Sequence, residues 1–143
     1  MNIEIAAEAT DELVEALRKL IPQLSSSAEP VDSALVRRVL ADPAITMFVA
    51  RHEGSIVGTL TLALFEIPTG LRAWIEDVVV DSSARGLGVG EALTKAALNL
   101  AQERGATSVD LTSRPSREAA NRLYKKVGFT ERHTNVYRYF LES

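Results

Sequence analysis

The chain has 143 residues, of which 46% are hydrophobic and 24% are charged, with a formal net charge of −3. This size and composition predict a single globular domain over residues 1–143 that buries its own core. The absence of cysteine excludes disulfides, thiolate nucleophiles and cysteine-bearing metal sites, and the two distant histidines, His52 and His133, argue against any other metal site.

The charge balance and the hydropathy also limit the partners and the location. A mildly acidic chain lacks the excess of basic residues that is typical of nucleic-acid-binding proteins. The segment Met1–Ile5 lacks the basic and apolar regions of a secretory signal, and no apolar stretch approaches the ~20 residues of a membrane span. We therefore expect a cytoplasmic protein with neither a nucleic-acid nor a membrane partner.

The first part of the chain predicts one strand and two helices. Apolar residues alternate with others over residues 2–7, which is typical of a strand. Thr10 precedes two acidic residues, a helix-start signature, and leucines recur at helical spacing up to Leu24. The segment 25–30 breaks this helix, and a second helix is expected to end near Asp42-Pro43.

Three strands are expected next, over Thr46–Arg51, Ser55–Phe65 and Leu71–Val80. The first two flank His52-Glu53-Gly54, whose glycine suits a hairpin turn, and Pro68-Thr69-Gly70 separates the last two. The third strand ends in a continuous apolar stretch, which indicates a strand covered on both faces.

The remainder of the chain alternates helices and strands. A helix is expected from Val89 to Gly105, a short strand over Val109–Leu111 and a helix over Ser116–Val127. Final strands are predicted from Phe129 onward and over Val136–Leu141. The order β-α-α-β-β-β-α-β-α-β-β indicates an α+β (mixed α/β) fold.

The most informative segment is Arg85-Gly86-Leu87-Gly88-Val89-Gly90, between a strand and a helix. Helix N-termini bind phosphate, and glycines let the backbone approach it. The alternative is a tight turn without a ligand, although glycine at three alternate positions exceeds what a turn needs. No P-loop lysine follows Gly90, and Glu91 breaks the spacing of a dinucleotide site.

This glycine turn resembles the Arg/Gln-x-x-Gly-x-Gly/Ala signature of the GCN5-related N-acetyltransferase (GNAT) family. Ala119-Ala120-Asn121-Arg122-Leu123-Tyr124, followed by Gly128-Phe129, resembles the second signature of that family. The order of elements is also similar over essentially the whole chain. The resemblance implies a GNAT fold with a splayed mixed central sheet flanked by helices, and an N-acetyltransferase that uses acetyl-CoA or another acyl-CoA.

The resemblance also implies where coenzyme A binds. The pyrophosphate would lie on the amides of residues 86–90, and pantetheine would pair with the exposed edge of Val78–Val80. The thioester would enter a cleft between Leu71–Val80 and Val109–Leu111. The cofactor-binding residues expected on this basis are Val78, Val79, Val80, Arg85, Gly86, Leu87, Gly88, Val89, Gly90, Glu91, Arg117 and Asn121.

The family reaction, direct attack of an amine on the thioester, indicates two catalytic residues. Tyr124 matches the tyrosine thought to protonate the coenzyme A sulfur, and its alternative is a core tyrosine. Glu76 is the candidate base, and its alternative is a solvated carboxylate or an ion pair. Strand alternation places Trp74, Glu76, Val78 and Val80 on one face.

Two residues depart from the family pattern. Arg117 stands where the second signature commonly has an asparagine, seven residues before the tyrosine, and Asn121 stands three residues before it. Arg117 and Arg85 are each suited to a phosphate contact, with a solvated arginine as the alternative for Arg85.

The leading hypothesis is an N-acetyltransferase that transfers acetyl from acetyl-CoA to a primary amine of a small molecule or peptide, without a metal. One alternative is a non-catalytic acyl-CoA-binding or sensing module of the same fold. Another is a different nucleotide-binding enzyme that places another diphosphate on the glycine turn. A homodimer is common for such folds.

Overall fold

The computed structural model of the chain describes residues 1–142. They fall into two compact units, Met1–Thr112 and a second unit that begins at Ser113. That residues 1–143 form one domain stays a prediction.

The first unit is built on a four-stranded antiparallel sheet whose strands are β1 (Asn2–Ile5), β2 (Ile45–His52), β3 (Ser55–Ile67) and β4 (Gly70–Val80). Their order in the sheet is β1-β2-β3-β4. In the hairpin between β2 and β3, Glu53 and Gly54 both have positive φ (52° and 82°), as a two-residue turn of type I′ requires. The predicted hairpin turn and the four strands predicted within residues 2–80 are confirmed to within a few residues.

Three helices belong to the same unit: α1 (Asp11–Leu24), α2 (Ser33–Ala41) and α3 (Val89–Glu103). Thr10 caps α1 by accepting a hydrogen bond from the Leu13 N–H (3.1 Å), as its position in the sequence predicted. A single 3-10 turn, Ser82–Ala84, lies between β4 and α3.

The helices cover both faces of the sheet. On one face α1 and α2 share a core with β2, formed by Leu13, Val14, Leu17, Val31, Val36, Met47 and Val49. Register places Met47 and Val49 opposite Thr61 and Thr59, so Gly58, Leu60 and Leu62 of β3 lie on the other face. There a Cβ added to Gly58 would meet side chains of α3, which shows that α3 packs on this second face.

A β-bulge interrupts β4, and because of it the prediction of which β4 residues share a face is wrong. Thr61 pairs with Glu76 but Thr59 pairs with Val79, so Asp77 and Val78 together oppose Leu60. Asp77 has a φ of 49°, outside the strand region. The extra residue shifts the alternation, so Glu76 shares its face with Val79 and not with Val78 and Val80 as predicted.

The predicted strand Val109–Leu111 is reduced to one parallel bridge between Trp74 and Asp110. The Ile75 N–H donates to the Asp110 carbonyl and the Asp110 N–H donates to the Ala73 carbonyl, both at 3.0 Å. The parallel direction agrees with the prediction, but the pairing extends no further in the described residues.

The second unit contains α4, Glu118–Val127, which ends at Gly128 with a φ of 122°. The strands predicted from Phe129 onward and over Val136–Leu141 are wrong for residues 129–142, which form no strand. The apolar residues that suggested them are 73–87% exposed: Val136, Tyr137, Tyr139, Phe140 and Leu141. Their pattern does not produce a strand here because no neighbouring strand within the described residues supplies ladder hydrogen bonds.

No helix in residues 1–142 combines the length and the apolar character needed to cross a bilayer.

A substitution at Gly58 tests the packing of α3. A Cβ there would lie 2.9 Å from Val89 Cγ1 and 3.3 Å from the Val79 carbonyl, so we expect Gly58→Ala to lower the free energy of unfolding by about 1–3 kcal/mol. Urea denaturation measures the change. Because Val89 causes the closest clash, adding Val89→Ala should destabilise Gly58→Ala by less than it destabilises the wild type, and strict additivity would contradict this packing.

Candidate active site

The outer edge of β4 is open where the sequence places the pantetheine contact. On the inner side β4 pairs with β3, and on the outer side the only pairing within the described residues is the bridge at Trp74. The Asp81 N–H donates to the Val57 carbonyl (2.8 Å), so the backbone of residue 81 faces β3. By alternation, the N–H and C=O of Val78 and Val80 point outward, available to an extended ligand.

The bulge produces this direction. Before it, the hydrogen bonds to Asp110 show that Ala73 and Ile75 face the outer edge. Without the extra residue, odd-numbered residues would continue to face outward along β4. The bulge therefore turns Val78 and Val80 outward and directs Val79 toward β3.

The glycine turn that follows is open to ligand. Gly86 and Gly88 have φ values of 84° and 77°, and a Cβ on either would meet nothing within 4 Å. Gly88 is the N-cap of α3 and supplies no side-chain cap, while the Ala92 N–H makes the first helical bond to its carbonyl (3.1 Å). An uncapped helix N-terminus bordered by open space fits a phosphate group.

The other residues of the turn divide into buried and exposed ones. Val89 is only 2% exposed, so its side chain belongs to the core and its backbone alone is left for a ligand. Gly90 accepts a hydrogen bond from Thr94 Oγ1 (2.7 Å). Leu87 and Arg85 are exposed, and the guanidinium of Arg85 suits a phosphate contact.

Glu91 lies in the first turn of α3, with its carboxylate 3.8 Å from Lys95 Nζ. A carboxylate here stabilises the helix N-terminus but repels a phosphate. Any contact of Glu91 with coenzyme A is therefore expected from its backbone and not from its side chain.

A polar cluster that the sequence did not reveal lies between β4 and the glycine turn. The Asp81 carboxylate accepts hydrogen bonds from Gln23 Nε2 (2.8 Å) and from the Ser83 hydroxyl, and Lys19 Nζ lies 3.6 Å away. Gln23 Oε1 accepts from the Ser82 N–H (3.1 Å). The Ser83 and Gln23 hydrogen bonds lower the pKa of Asp81 to about 2, against the opposing effect of burial.

Glu76 is exposed on β4, opposite Thr61 and on the face that α1 and α2 cover. It directly precedes the bulge. The carboxylate is thus in contact with solvent.

In the second unit Tyr124 is 9% exposed and packs edge-to-face on Phe129, with ring centroids 5.7 Å apart. Burial raises the pKa of Tyr124, and the positive charge of Arg117 opposes that rise. Asn121 Nδ2 donates to the Arg114 carbonyl (3.0 Å), and Arg117 is the exposed N-cap of α4. The Asn121 amide therefore holds the loop before α4.

In the part of the chain that the structure describes, no group of three or more His, Cys, Asp or Glu residues is arranged to hold a metal ion.

Comparison with known proteins identifies the class. The sequence profile of the acetyltransferase (GNAT) family matches residues 9–129. The chain belongs to this family, which confirms the resemblance of its two signatures. Members of the family are acetyltransferases, which are enzymes, and use acetyl-CoA as co-substrate.

Individual relatives agree with this assignment. N-alpha-acetyltransferase MAK3 of Arabidopsis thaliana is 32% identical over 66% of this chain and 49% of its own length. A mycothiol acetyltransferase of Thermomonospora curvata is 36% identical over 66% of this chain and 31% of its own. The chain thus spans between about a third and a half of these curated relatives.

A solved structure from Agrobacterium tumefaciens str. C58 superimposes on this chain with a TM-score of 0.87 and 26% sequence identity. The superposition covers 98% of this chain and all of the Agrobacterium chain. The α+β fold class with its GNAT architecture is thereby confirmed.

The pKa of Asp81 predicts an acid-dependent contribution to stability. Because the folded value of about 2 lies below the unfolded value, the contribution is complete above about pH 5 and is lost as the pH falls toward the folded pKa. We expect Asp81→Asn to be less stable than the wild type at neutral pH, with the difference shrinking below about pH 4. Urea midpoints measured from neutral to acidic pH test this, and a difference independent of pH would contradict it.

Proposed function

We propose that the protein is an N-acetyltransferase that transfers the acetyl group of acetyl-CoA to a primary amine by direct attack. The observation that carries the proposal is the open edge of Val78 and Val80 leading within a few residues to the uncapped N-terminus of α3. The open strand edge suits an extended pantetheine chain, and the helix N-terminus suits a pyrophosphate.

The donor site is made mainly of backbone. The N–H and C=O groups of Val78 and Val80 would pair with the pantetheine amides, and the amides of residues 86–90 would hold the pyrophosphate. Arg85 would add a charged contact. Arg117 and Asn121, the other candidates for contact with coenzyme A, lie further along the sequence. Because the Asn121 side chain donates to the Arg114 carbonyl, we expect Asn121 to support the loop before α4 and not to contact coenzyme A directly.

The chemistry requires two proton transfers. The neutral amine nitrogen attacks the thioester carbonyl carbon, the C–S bond breaks, and the leaving thiolate takes a proton from the Tyr124 phenol. The ammonium proton passes to Glu76 directly or through water. A buried phenol with a raised pKa remains protonated at neutral pH and is therefore able to donate its proton to the thiolate.

The acceptor class is proposed from the free energy needed to neutralise the attacking amine. Neutralising a lysine amine at pH 7 costs about 4.6 kcal/mol, whereas an α-amino group costs about 1.4 kcal/mol. An α-amine therefore needs less help from a base, and Glu76, the candidate base, is exposed to solvent. We therefore propose an acceptor with an amine of low pKa, such as an α-amine, in agreement with the name of the MAK3 relative.

Release of coenzyme A from acetyl-CoA across a panel of α-amines, amino sugars and lysine peptides tests the proposal. Acetyl-CoA-dependent turnover of at least one amine is expected. Binding of acetyl-CoA without turnover of any amine would favour the sensing module, and binding of ATP or NAD in its place would favour another nucleotide-binding enzyme.

Tyr124→Phe should lower kcat by about 100-fold or more, because the thiolate loses its proton donor, while the KM for acetyl-CoA stays unchanged. Steady-state kinetics with the best amine of the panel measure both. Tyr139→Phe removes the same hydroxyl from a side chain that is 87% exposed, and should leave kcat intact. Full turnover in Tyr124→Phe would eliminate the assignment.

Gly88→Glu should weaken acetyl-CoA binding by at least about tenfold, since it places a carboxylate at the helix N-terminus and a side chain at a φ of 77°. Isothermal titration measures the Kd. Gly54→Glu introduces the same side chain at a φ of 82° in the β2–β3 hairpin, where a Cβ also meets nothing within 4 Å, so it controls for strain and charge. Equal affinities for the two variants would disprove the phosphate turn.

A further inference from the structure

One side chain of α1 holds two neighbouring groups just after β4. Gln23 Nε2 donates to Asp81 Oδ1 at 2.8 Å, and Gln23 Oε1 accepts from the Ser82 N–H at 3.1 Å. Gln23 is exposed, so these bonds and not burial are its contribution to the fold. Asp81 in turn is buried, and it also bonds Ser83 and lies near Lys19.

The position of this contact links the two parts of the donor site. Residues 81–84 are the whole connection between the outward edge at Val78 and Val80 and the glycine turn that begins at Arg85. The Asp81 N–H is fixed to β3, and its carboxylate is fixed to α1 and to the 3-10 turn. A change in this short segment shifts the amides of residues 86–90 relative to the β4 edge.

We propose that Gln23 is a positioning residue for acetyl-CoA, which sets the distance and angle between the β4 edge and the glycine turn through Asp81 and Ser82. This inference rests on the proposed function, because it takes acetyl-CoA as the ligand that spans both parts. Gln23 itself touches no reacting atom. Its effect is on donor affinity and not on the chemical step.

The role follows from the two-point contact. The Asp81 carbonyl is held within the 3-10 turn by the Ala84 N–H (2.9 Å), and the planar amide of Gln23 restrains the Asp81 carboxylate and the Ser82 N–H together, which ties this peptide to α1. A ligand that contacts backbone on both sides of this peptide needs both sides in register. An exposed residue that merely stabilised the fold would not change donor affinity selectively.

Gln23→Glu tests the proposal with little change of shape. It keeps an oxygen for the Ser82 N–H but replaces the donor to Asp81 by a carboxylate oxygen. The Kd and the KM for acetyl-CoA should rise about tenfold at pH 7.5, while kcat at saturating acetyl-CoA changes by less than about twofold. The Kd defect should shrink as the pH is lowered, because protonation of the introduced carboxyl restores a donor.

The double variant Gln23→Glu/Asp81→Asn provides a rescue. The amide introduced at position 81 donates to the carboxylate introduced at position 23, so the two-point contact is rebuilt with the groups exchanged. The Kd should return to within about threefold of the wild type. Gln102→Glu, the same change at an exposed position near the end of α3, should leave the Kd unchanged. Thermal unfolding of each variant confirms that it is folded.

The outcomes separate this inference from the proposed function. If the wild type binds acetyl-CoA and Gln23→Glu binds it equally well, the positioning role is wrong and the proposed function stands. A double variant as impaired as Gln23→Glu, or a defect in kcat alone, would also overturn it. If the wild type binds no acetyl-CoA in the same titration, the proposed function fails and this inference fails with it.

Discussion

The extra residue that β4 places opposite Leu60 is the constraint on which the proposed donor site depends. In a regular antiparallel strand, the outward groups at Ala73 and Ile75 would be followed by outward groups at 77 and 79. The bulge reverses this order after one pairing with Asp110 and leaves Val78 and Val80 facing away from the sheet. A strand edge is thereby opened at the place where the chain next turns toward α3, and the left-handed φ of Asp77 is part of that geometry.

Two contacts then hold the glycine turn against this edge from opposite faces of the sheet. On the α3 face, the missing side chain of Gly58 lets Val89 approach β3, which fixes the first residue of the helix. On the α1 face, Gln23 and Asp81 hold the connecting segment. The contact of Gly58 with Val89 is steric and apolar, whereas the contact of Gln23 with Asp81 is polar and directional. The amides of residues 86–90, which we propose bind the ligand, need no side chain of their own.

The sequence predicted the parts of this arrangement that depend on local pattern. Thr10 as a cap, the Glu53-Gly54 turn and the glycine turn follow from residue types at fixed spacing, and the structure agrees. The bulge was missed because Asp77 is an ordinary strand-edge residue until its partner strand is known. Gln23 was missed because its partners lie 58 and 59 positions away. The strands predicted after Phe129 failed because alternation describes a surface that needs a partner, and none is found in the described residues.

The exposed Leu87 of the glycine turn is 48% accessible and lies between two glycines whose φ values only glycine adopts readily. Its side chain is free to vary, whereas the flanking positions are not. A surface made of main-chain amides does not depend on the identity of such a side chain, so position 87 is the one in the turn where a substitution is expected to affect the proposed acyl-CoA site least.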